Sequence, residues 1–356
     1  MTLQTHSATL ASPLFNAWQQ LLQQQPRLRA RDVAQQLAVS EAELIASRLG
    51  IDTLRLRPDW AQLLPALESL GRIMALTRNE HCVHERKGVY RETTVGASGK
   101  MGLVVSADID LRLFLSGWHS VFAVEQQTAR GLQRSLQIFD QQGVAVHKVF
   151  LTEDSDLDAW SALLSRFAEP DQSPQLDLQP APVREAERPD GEVDAAALAE
   201  GWSKLKDVHH FHAMLNRNKV GRLQALRLVG QQWAEPLATQ ALPGVMTDAA
   251  ATQLPIMVFV GNRHCIQIHT GPLHDLRWVG DWFNVLDADF NLHLKMPAVA
   301  QLWRVRKPSS DGLITSWEAF DADGELILQL FGARKPGQPE LEAWRCLAEA
   351  TPALED

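Results

Sequence analysis

The chain repeats itself. Asn79-Glu80-His81-Cys82-Val83 returns as Asn262-Arg263-His264-Cys265-Ile266, 183 positions later. Ala107-Asp108-Ile109-Asp110-Leu111-Arg112-Leu113 returns as Ala288-Asp289-Phe290-Asn291-Leu292-His293-Leu294 at an offset of 181. Ser135, Phe139, Asp140, Gly143 and Phe150 match Ser316, Phe320, Asp321, Gly324 and Phe331 at 181, and Trp160 meets Trp344 at 184. Blocks in one order at nearly one offset predict a single folding unit built twice. The stretch between the copies, residues 168–192, holds Pro170, Pro174, Pro180, Pro182 and Pro189 among Asp, Glu and Gln, a linker composition. The predicted organisation is an N-terminal repeat over 1–167, a Pro-rich linker over 168–192 and a C-terminal repeat over 193–356.

Within the first repeat the hydrophobic period changes along the chain. Leu14, Phe15, Trp18, Leu21 and Leu22 recur at helical spacing, and Arg31–Leu44 continues as helix, restarted by a capping box of Ser40 and Glu43. From about Met74 the pattern favours strands: Met101–Val105, Ile109–Leu115, Ser120–Val124, Leu136–Phe139 and Val144–Leu151, the last two joined by a turn at Asp140-Gln141-Gln142-Gly143. Leu157–Phe167 closes the repeat as a helix. Each half is therefore expected to be an α+β unit, helices plus a large antiparallel sheet.

One stretch belongs to the second repeat alone. Asp207-Val208-His209-His210-Phe211-His212-Ala213-Met214-Leu215-Asn216-Arg217 places three of the twelve histidines within four residues. The first repeat offers Asp32-Val33 followed by Ala34-Gln35-Gln36 instead. Without Pro or Gly the run reads as helix, so His209 and His212 share a face and His210 points elsewhere. Histidine is the commonest metal ligand, but no cysteine or carboxylate at suitable spacing completes a tetrahedral zinc set. A His-rich surface helix is the plain alternative.

Around the cluster the second repeat offers Arg222 on a helix over Gly221–Val229, Phe259 in the apolar strand Ile256–Val260, and Lys307 in Arg304-Val305-Arg306-Lys307-Pro308. The strand Leu328-Gln329-Leu330-Phe331 runs into the basic Arg334-Lys335. Histidine, aromatics and several cations are what ferric haem needs: an axial imidazole, an apolar sandwich, and cations for two propionates. The same residues also suit ordinary strand ends and surface cations. A net charge of −9 argues against general nucleic-acid affinity. Three cysteines suit a reducing compartment, and no apolar run reaches the length of a membrane span. Met1–Ser7 lacks the basic, then apolar, pattern of a signal peptide. These features lead to the expectation of a soluble, cytoplasmic protein.

Thr77-Arg78-Asn79-Glu80-His81-Cys82-Val83-His84-Glu85-Arg86-Lys87-Gly88, Asp108–Phe114, Asp207-Val208-His209, Gln224–Gly230 and Phe331–Gly337 together resemble the bacterial cytoplasmic haem-utilisation family, the haemin-degrading factors. The variant His209-His210-Phe211-His212 is most similar to its pseudomonad branch. The resemblance implies one haem b held between the halves. It places the axial ligand on His209 and a distal group on Arg112, with Phe114 nearby. Pocket and propionate residues fall on Arg222, Phe259, Lys307, Gln329 and Arg334. Leu328 stands where the family often has tyrosine. His210 and His212 are additions, and His212 is a candidate alternative iron ligand. The implied activity is haem trafficking, with delivery of imported haem to a haem oxygenase. Ring cleavage with an external reductant is the enzymatic alternative, since no nucleotide-binding glycine motif is present. DNA binding through the helix-turn-helix-like residues 31–49, near Arg27, Arg29, Arg31 and Arg48, is the third reading.

Overall fold

The computed structural model describes residues 12–129, 131–183, 186–335 and 337–354, without the side chain of His209. The N-terminal residues assessed for a signal peptide lie outside them. The chain separates into two compact units.

The first unit opens with three short helices, α1 Pro13–Gln24, α2 Ala30–Gln36 and α3 Glu41–Ala46. Ser12 caps α1, its hydroxyl accepting from the Phe15 amide at 3.1 Å with Pro13 at the first helical position. Ser40 and Glu43 close the predicted capping box on α3, with bonds of 2.8 and 3.1 Å. Then come β1 Thr53–Leu56, α4 Trp60–Ala66, β2 Gly71–Arg78, β3 Cys82–Gly88, β4 Thr93–Val95, β5 Met101–Val105 and β6 Asp110–Phe114. Long strands β7 Trp118–Thr128, β8 Gly131–Asp140 and β9 Ala145–Ser155 precede α5 Leu157–Phe167, which begins and ends where its periodicity placed it. Antiparallel pairing gives the runs β1-β7-β8-β9-β2 and β4-β5-β6.

The second unit copies this plan. After α6 Ala195–Ser203, α7 Phe211–Asn218 and α8 Arg222–Leu228 come β10 Ala234–Leu237, α9 Ala241–Ala251, β11 Ile256–Asn262, β12 Cys265–Gly271, β13 Leu276–Val279, β14 Trp282–Leu286, β15 Phe290–Lys295, β16 Gln301–Ser309, β17 Gly312–Phe320, β18 Leu326–Gly332 and α10 Glu342–Glu349. The order β10-β16-β17-β18-β11, with a β13-β14-β15 meander, is the order of the first unit. The duplication and the α+β class read from the sequence are thus present strand for strand.

The repeated Asn-x-His-Cys block has a structural purpose. Residues Asn262–Gln267 belong to the first unit and Asn79–His84 to the second. In the first unit, Asn262 Nδ2 donates to Arg78 O (3.0 Å) and Val146 O (2.8 Å), while its Oδ1 accepts from the amides of His264 and Cys265, both at 3.0 Å. In the second, Asn79 donates to Gly261 O (3.2 Å) and Ile327 O (2.7 Å) and accepts from His81 (3.0 Å) and Cys82 (2.9 Å). Four bonds per amide satisfy every donor and acceptor of each asparagine side chain. His264 lies 4.0 Å from Asp140, and His81 lies 3.4 Å from Asp321, the counterpart pair.

Each unit has its own apolar core. The matched tryptophans Trp160 and Trp344 are fully buried, and each indole N–H has a 2.9 Å acceptor, Glu125 Oε1 and Thr315 O respectively. Burial without those acceptors would leave a polar group unpaid in an apolar setting. The chain passes between units at Pro182, within the Pro-rich stretch. There Gln172 bonds both polar atoms of the Arg55 backbone in the first unit. Arg188 donates to Asn218 O at 2.7 Å in the second. Among the described residues, no helix is long and apolar enough to cross a membrane.

Candidate functional site

Five residues scattered over more than a hundred positions meet on one face of the second unit. Cross-strand register places Glu318 of β17 beside Gln329 of β18, and Gln329 beside Phe259 of β11. Side chains alternate across a strand, so these three share a face. Lys307 reaches the same point from β16, its Nζ 2.6 Å from Glu318 Oε1. Arg222, at the start of α8, closes a fork on the same carboxylate at 2.7 and 3.0 Å. Gln329 Nε2, at 3.0 Å, and Ser316 Oγ, at 3.1 Å, both donate to Glu318 Oε1. The Phe211 ring lies under both cations, 4.6 Å from Lys307 Nζ and 5.2 Å from the Arg222 guanidinium carbon.

The sequence reading missed Glu318, the centre of this cluster. Two cations against one carboxylate leave a net charge of +1. Burial alone would raise the Glu318 carboxyl, but Arg222 and Lys307 override it and hold it well below the usual carboxylate range. Burial pushes the Lys307 ammonium down to about 8, against the upward pull of Glu318. Lys307 and Arg222 were expected to stand ready for an external anion; both turn first to Glu318. The signal lay in the sequence: Glu318 stands in Thr315-Ser316-Trp317-Glu318-Ala319, a strand buried throughout this stretch.

Beside the charged cluster the face becomes apolar. Phe259 and Phe331 stand half-buried with ring centroids 5.0 Å apart, next to Met257. Arg334 lies just beyond β18, its Nη1 3.6 Å from Asp311 Oδ2. That nitrogen is buried without a hydrogen-bond partner among the described residues. Leu328 faces the opposite way, into the core.

In the first unit, Arg112 and Phe114 lie on the outward face of β6. Arg112 pairs with Asp110 on the same strand and donates to Leu111 O at 3.3 Å. Across from them β5 presents Met101, Leu103 and Val105, with 43%, 38% and 45% of their surface exposed. Register sets Met101 opposite Phe114 and Leu103 opposite Arg112. The result is an exposed apolar platform with one guanidinium at its middle. Met101 and Leu103 were read only as a strand; their alternation with buried Gly102 and Val104 marked the face without saying what it serves.

The histidine run is not the single helix expected. Val208–His210 form a 3-10 turn, closed by the His210 amide on Asp207 O at 3.0 Å, and α7 starts only at Phe211. Phe211, Met214 and Leu215 must face the core, and that sets the rotation of α7. His212 then points to solvent, as does His210. The face that His209 and His212 were expected to share turns on the His209 side chain. The side chain of His209, the expected axial ligand, lies outside the described residues.

Residues 31–49 do contain two helices joined at Ala38, which adopts a left-handed conformation (φ 54°). The second of them, α3, buries Glu41, Ala42, Leu44, Ile45 and Ala46, and Arg48 is held by Asp52.

The model of the haemin-degrading HemS/ChuX domain matches residues 38–167 and again 219–351, so it covers both repeats. The chain belongs to the HemS/ChuX family. It is 42% identical to the hemin transport protein HmuS of Yersinia pestis over 333 residues, covering 93% of this chain and 95% of that protein. The hemin transport protein HemS of Yersinia enterocolitica is 41% identical, over 94% and 96%. Among solved structures, holo-PhuS, a heme-binding protein from Pseudomonas aeruginosa, superposes with a TM-score of 0.95 at 63% identity, over 98% of this chain and all of that one. ChuS, described as an E. coli heme oxygenase, gives 0.86 at 37%, over 96% and 99%. The two HemS/ChuX matches leave out residues 168–218, and with them the whole histidine run.

Proposed function

We propose that this chain binds ferric haem b as cargo and passes it to a haem oxygenase. The observation that carries the proposal is the convergence of Arg222, Lys307, Gln329 and Phe259 around Glu318. It sets a net positive charge against a half-exposed aromatic face. A planar apolar ring edged by two carboxylates has that complementary character. Arg334 Nη1, which makes no hydrogen bond among the described residues, offers a further donor beside its ion pair with Asp311. Arg112, set among Met101, Leu103 and Phe114, supplies a distal cation on an apolar platform. His209 gives the axial nitrogen that none of these residues can provide.

In this reading the cluster holds its charge in advance, so a propionate meets a preformed field and little reorganisation is needed. Lys307 is too buried to move out to the ligand, so Arg222, more open, makes the contact while Lys307 and Glu318 fix its fork. One axial imidazole and a distal arginine leave the haem held without a closed pair of strong ligands, which suits release. Replacing His209 by Ala should weaken haem binding and shift the Soret band; unchanged affinity and spectrum would overturn the axial assignment.

Ring cleavage is the second reading, favoured by the likeness to ChuS. The two separate by product. Tetrapyrrole opening with a reductant in the presence of catalase marks an enzyme. Opening that catalase abolishes marks coupled oxidation by free peroxide.

A further inference from the structure

The first unit contains a buried polar chain that the cargo reading does not use. Tyr90, the only tyrosine in the protein, is completely buried, and its hydroxyl bonds His147 Nε2. His147 Nδ1 lies 2.9 Å from Thr77 Oγ1, which lies 3.3 Å from Cys265 Sγ. Counting protons fixes the direction. Among the described residues the Tyr90 O–H has only His147 to donate to, so Nε2 accepts, Nδ1 carries the proton and donates to Thr77, and Thr77 donates to Cys265.

Aromatic rings lead from this chain towards the surface. Trp118 lies against His147 with centroids 6.4 Å apart and planes 22° apart. Trp60, half-exposed on α4, meets Trp118 edge-on at 5.1 Å.

The duplication supplies an internal control. At the repeat offsets Thr77, Tyr90, Trp118 and His147 correspond to Val260, Leu273, Val299 and Leu328. All four counterparts sit in the second unit's apolar core, together with Cys82, the counterpart of Cys265. The same fold position thus packs well with aliphatic side chains. Burying a tyrosine, a histidine and a threonine there is not a requirement of the architecture, and buried polar groups are costly unless fully bonded.

We infer that Tyr90 is a one-electron oxidation site, with His147 as its proton acceptor and Trp60 and Trp118 as the route for the electron. A one-electron oxidant takes an electron by way of Trp60 and Trp118. The Tyr90 O–H bond breaks, its proton moves to His147 Nε2, and a neutral phenoxyl radical and an imidazolium remain. An external one-electron reductant returns the electron and the proton goes back. The acceptor role rests on the Tyr90–His147 bond: burial pushes the imidazolium down to about 3, so the ring rests neutral, and the proton it takes is held only while Tyr90 stays oxidised. The cluster acts as a sink, holding an oxidising equivalent away from solvent.

The test uses the full chain without haem and ruthenium(III) tris-bipyridine, generated by a flash with persulfate. Freeze-quench electron paramagnetic resonance reads the radical, and only Tyr90 can give a tyrosyl signal. The expected result is a tyrosyl radical in the native chain whose yield does not vary from about pH 5 to pH 9, since the proton stays inside. Tyr90→Phe should abolish the signal. His147→Leu, the residue the second repeat uses, should lower the yield about tenfold, the equivalent of one hydrogen bond to a charged group. Trp118→Val, the second such exchange, should slow formation with the Tyr90–His147 pair intact. Circular dichroism of each variant checks the fold. A native chain giving only tryptophan or thiyl radicals, or none, would overturn the proposal. So would a tyrosyl yield equal in a folded His147→Leu variant.

Discussion

Glu318→Gln tests the charged cluster most sharply. The change keeps the shape of the side chain and removes its charge. Lys307 titrates at about 8, so its neutral form at pH 7 lies only about 1.4 kcal/mol above the charged one. A variant chain can take that route, which caps the penalty for an unpaired Lys307. What remains is the fork of Arg222, now facing an amide, at about 1.5–3 kcal/mol for a bond between charged groups. The sum, about 3–4 kcal/mol, falls at the lower end of the loss for breaking a buried pair. The pH dependence gives a second signature. An unfolded lysine keeps its proton to about 10.5, whereas folded Lys307 loses it at about 8. Between those values the unfolded chain binds more protons, so this group's contribution to stability rises with pH from about 8 to 10.5. Removing Glu318 removes the pull that kept Lys307 this high, so the rise begins at lower pH. Urea unfolding followed by circular dichroism from pH 6 to pH 10 reads both effects. A loss below about 1 kcal/mol, or an unshifted pH profile, would refute the assignment of Glu318 as the anchor of the cluster.

Three other outcomes follow. Met101→Asp and Leu103→Asp place carboxylates on an exposed platform, so stability should change by less than about 1 kcal/mol. Haem titration of the same variants should show weaker binding, and unchanged affinity would remove the platform from the site. Gly332→Ala should cost about 2 kcal/mol by overpacking, because a Cβ there would lie 2.6 Å from the fully buried Trp344; thermal melting checks it. Ser40→Ala should cost about 1 kcal/mol through loss of the α3 cap, also read by melting.

Much of this architecture was legible before any coordinates. Periodicity located α5 to the residue, and the Ser40–Glu43 signature restarted α3 because capping chemistry is local. The duplication predicted the shared strand order, since matched apolar patterns must pair alike. It did not show that Asn79–His84 and Asn262–Gln267 each join the other unit, because a local motif does not name its packing partner. In the candidate site, family resemblance gathered Arg222, Lys307, Gln329 and Phe259, which strand register and bonds to Glu318 bring together. Glu318 escaped notice because no spacing rule flags one acid in a core strand; only its partners, 96 and 11 positions away, give it meaning. Tyr90 and His147 escaped for the same reason, 57 positions apart. The continuous helix over the histidine run was the local misreading: Phe211, Met214 and Leu215 dictate where α7 begins, and that is a demand of packing.

The central claim is delivery, and one measurement addresses it directly. The chain is loaded with ferric haem and mixed in stopped flow either with a purified haem oxygenase or with an apo-globin scavenger, each over a range of concentrations. A delivery protein should transfer haem to the oxygenase at a rate that rises with oxygenase concentration and exceeds passive loss to the globin. Equal rates for both acceptors, independent of their concentration, would mean that haem simply dissociates, and would contradict the account.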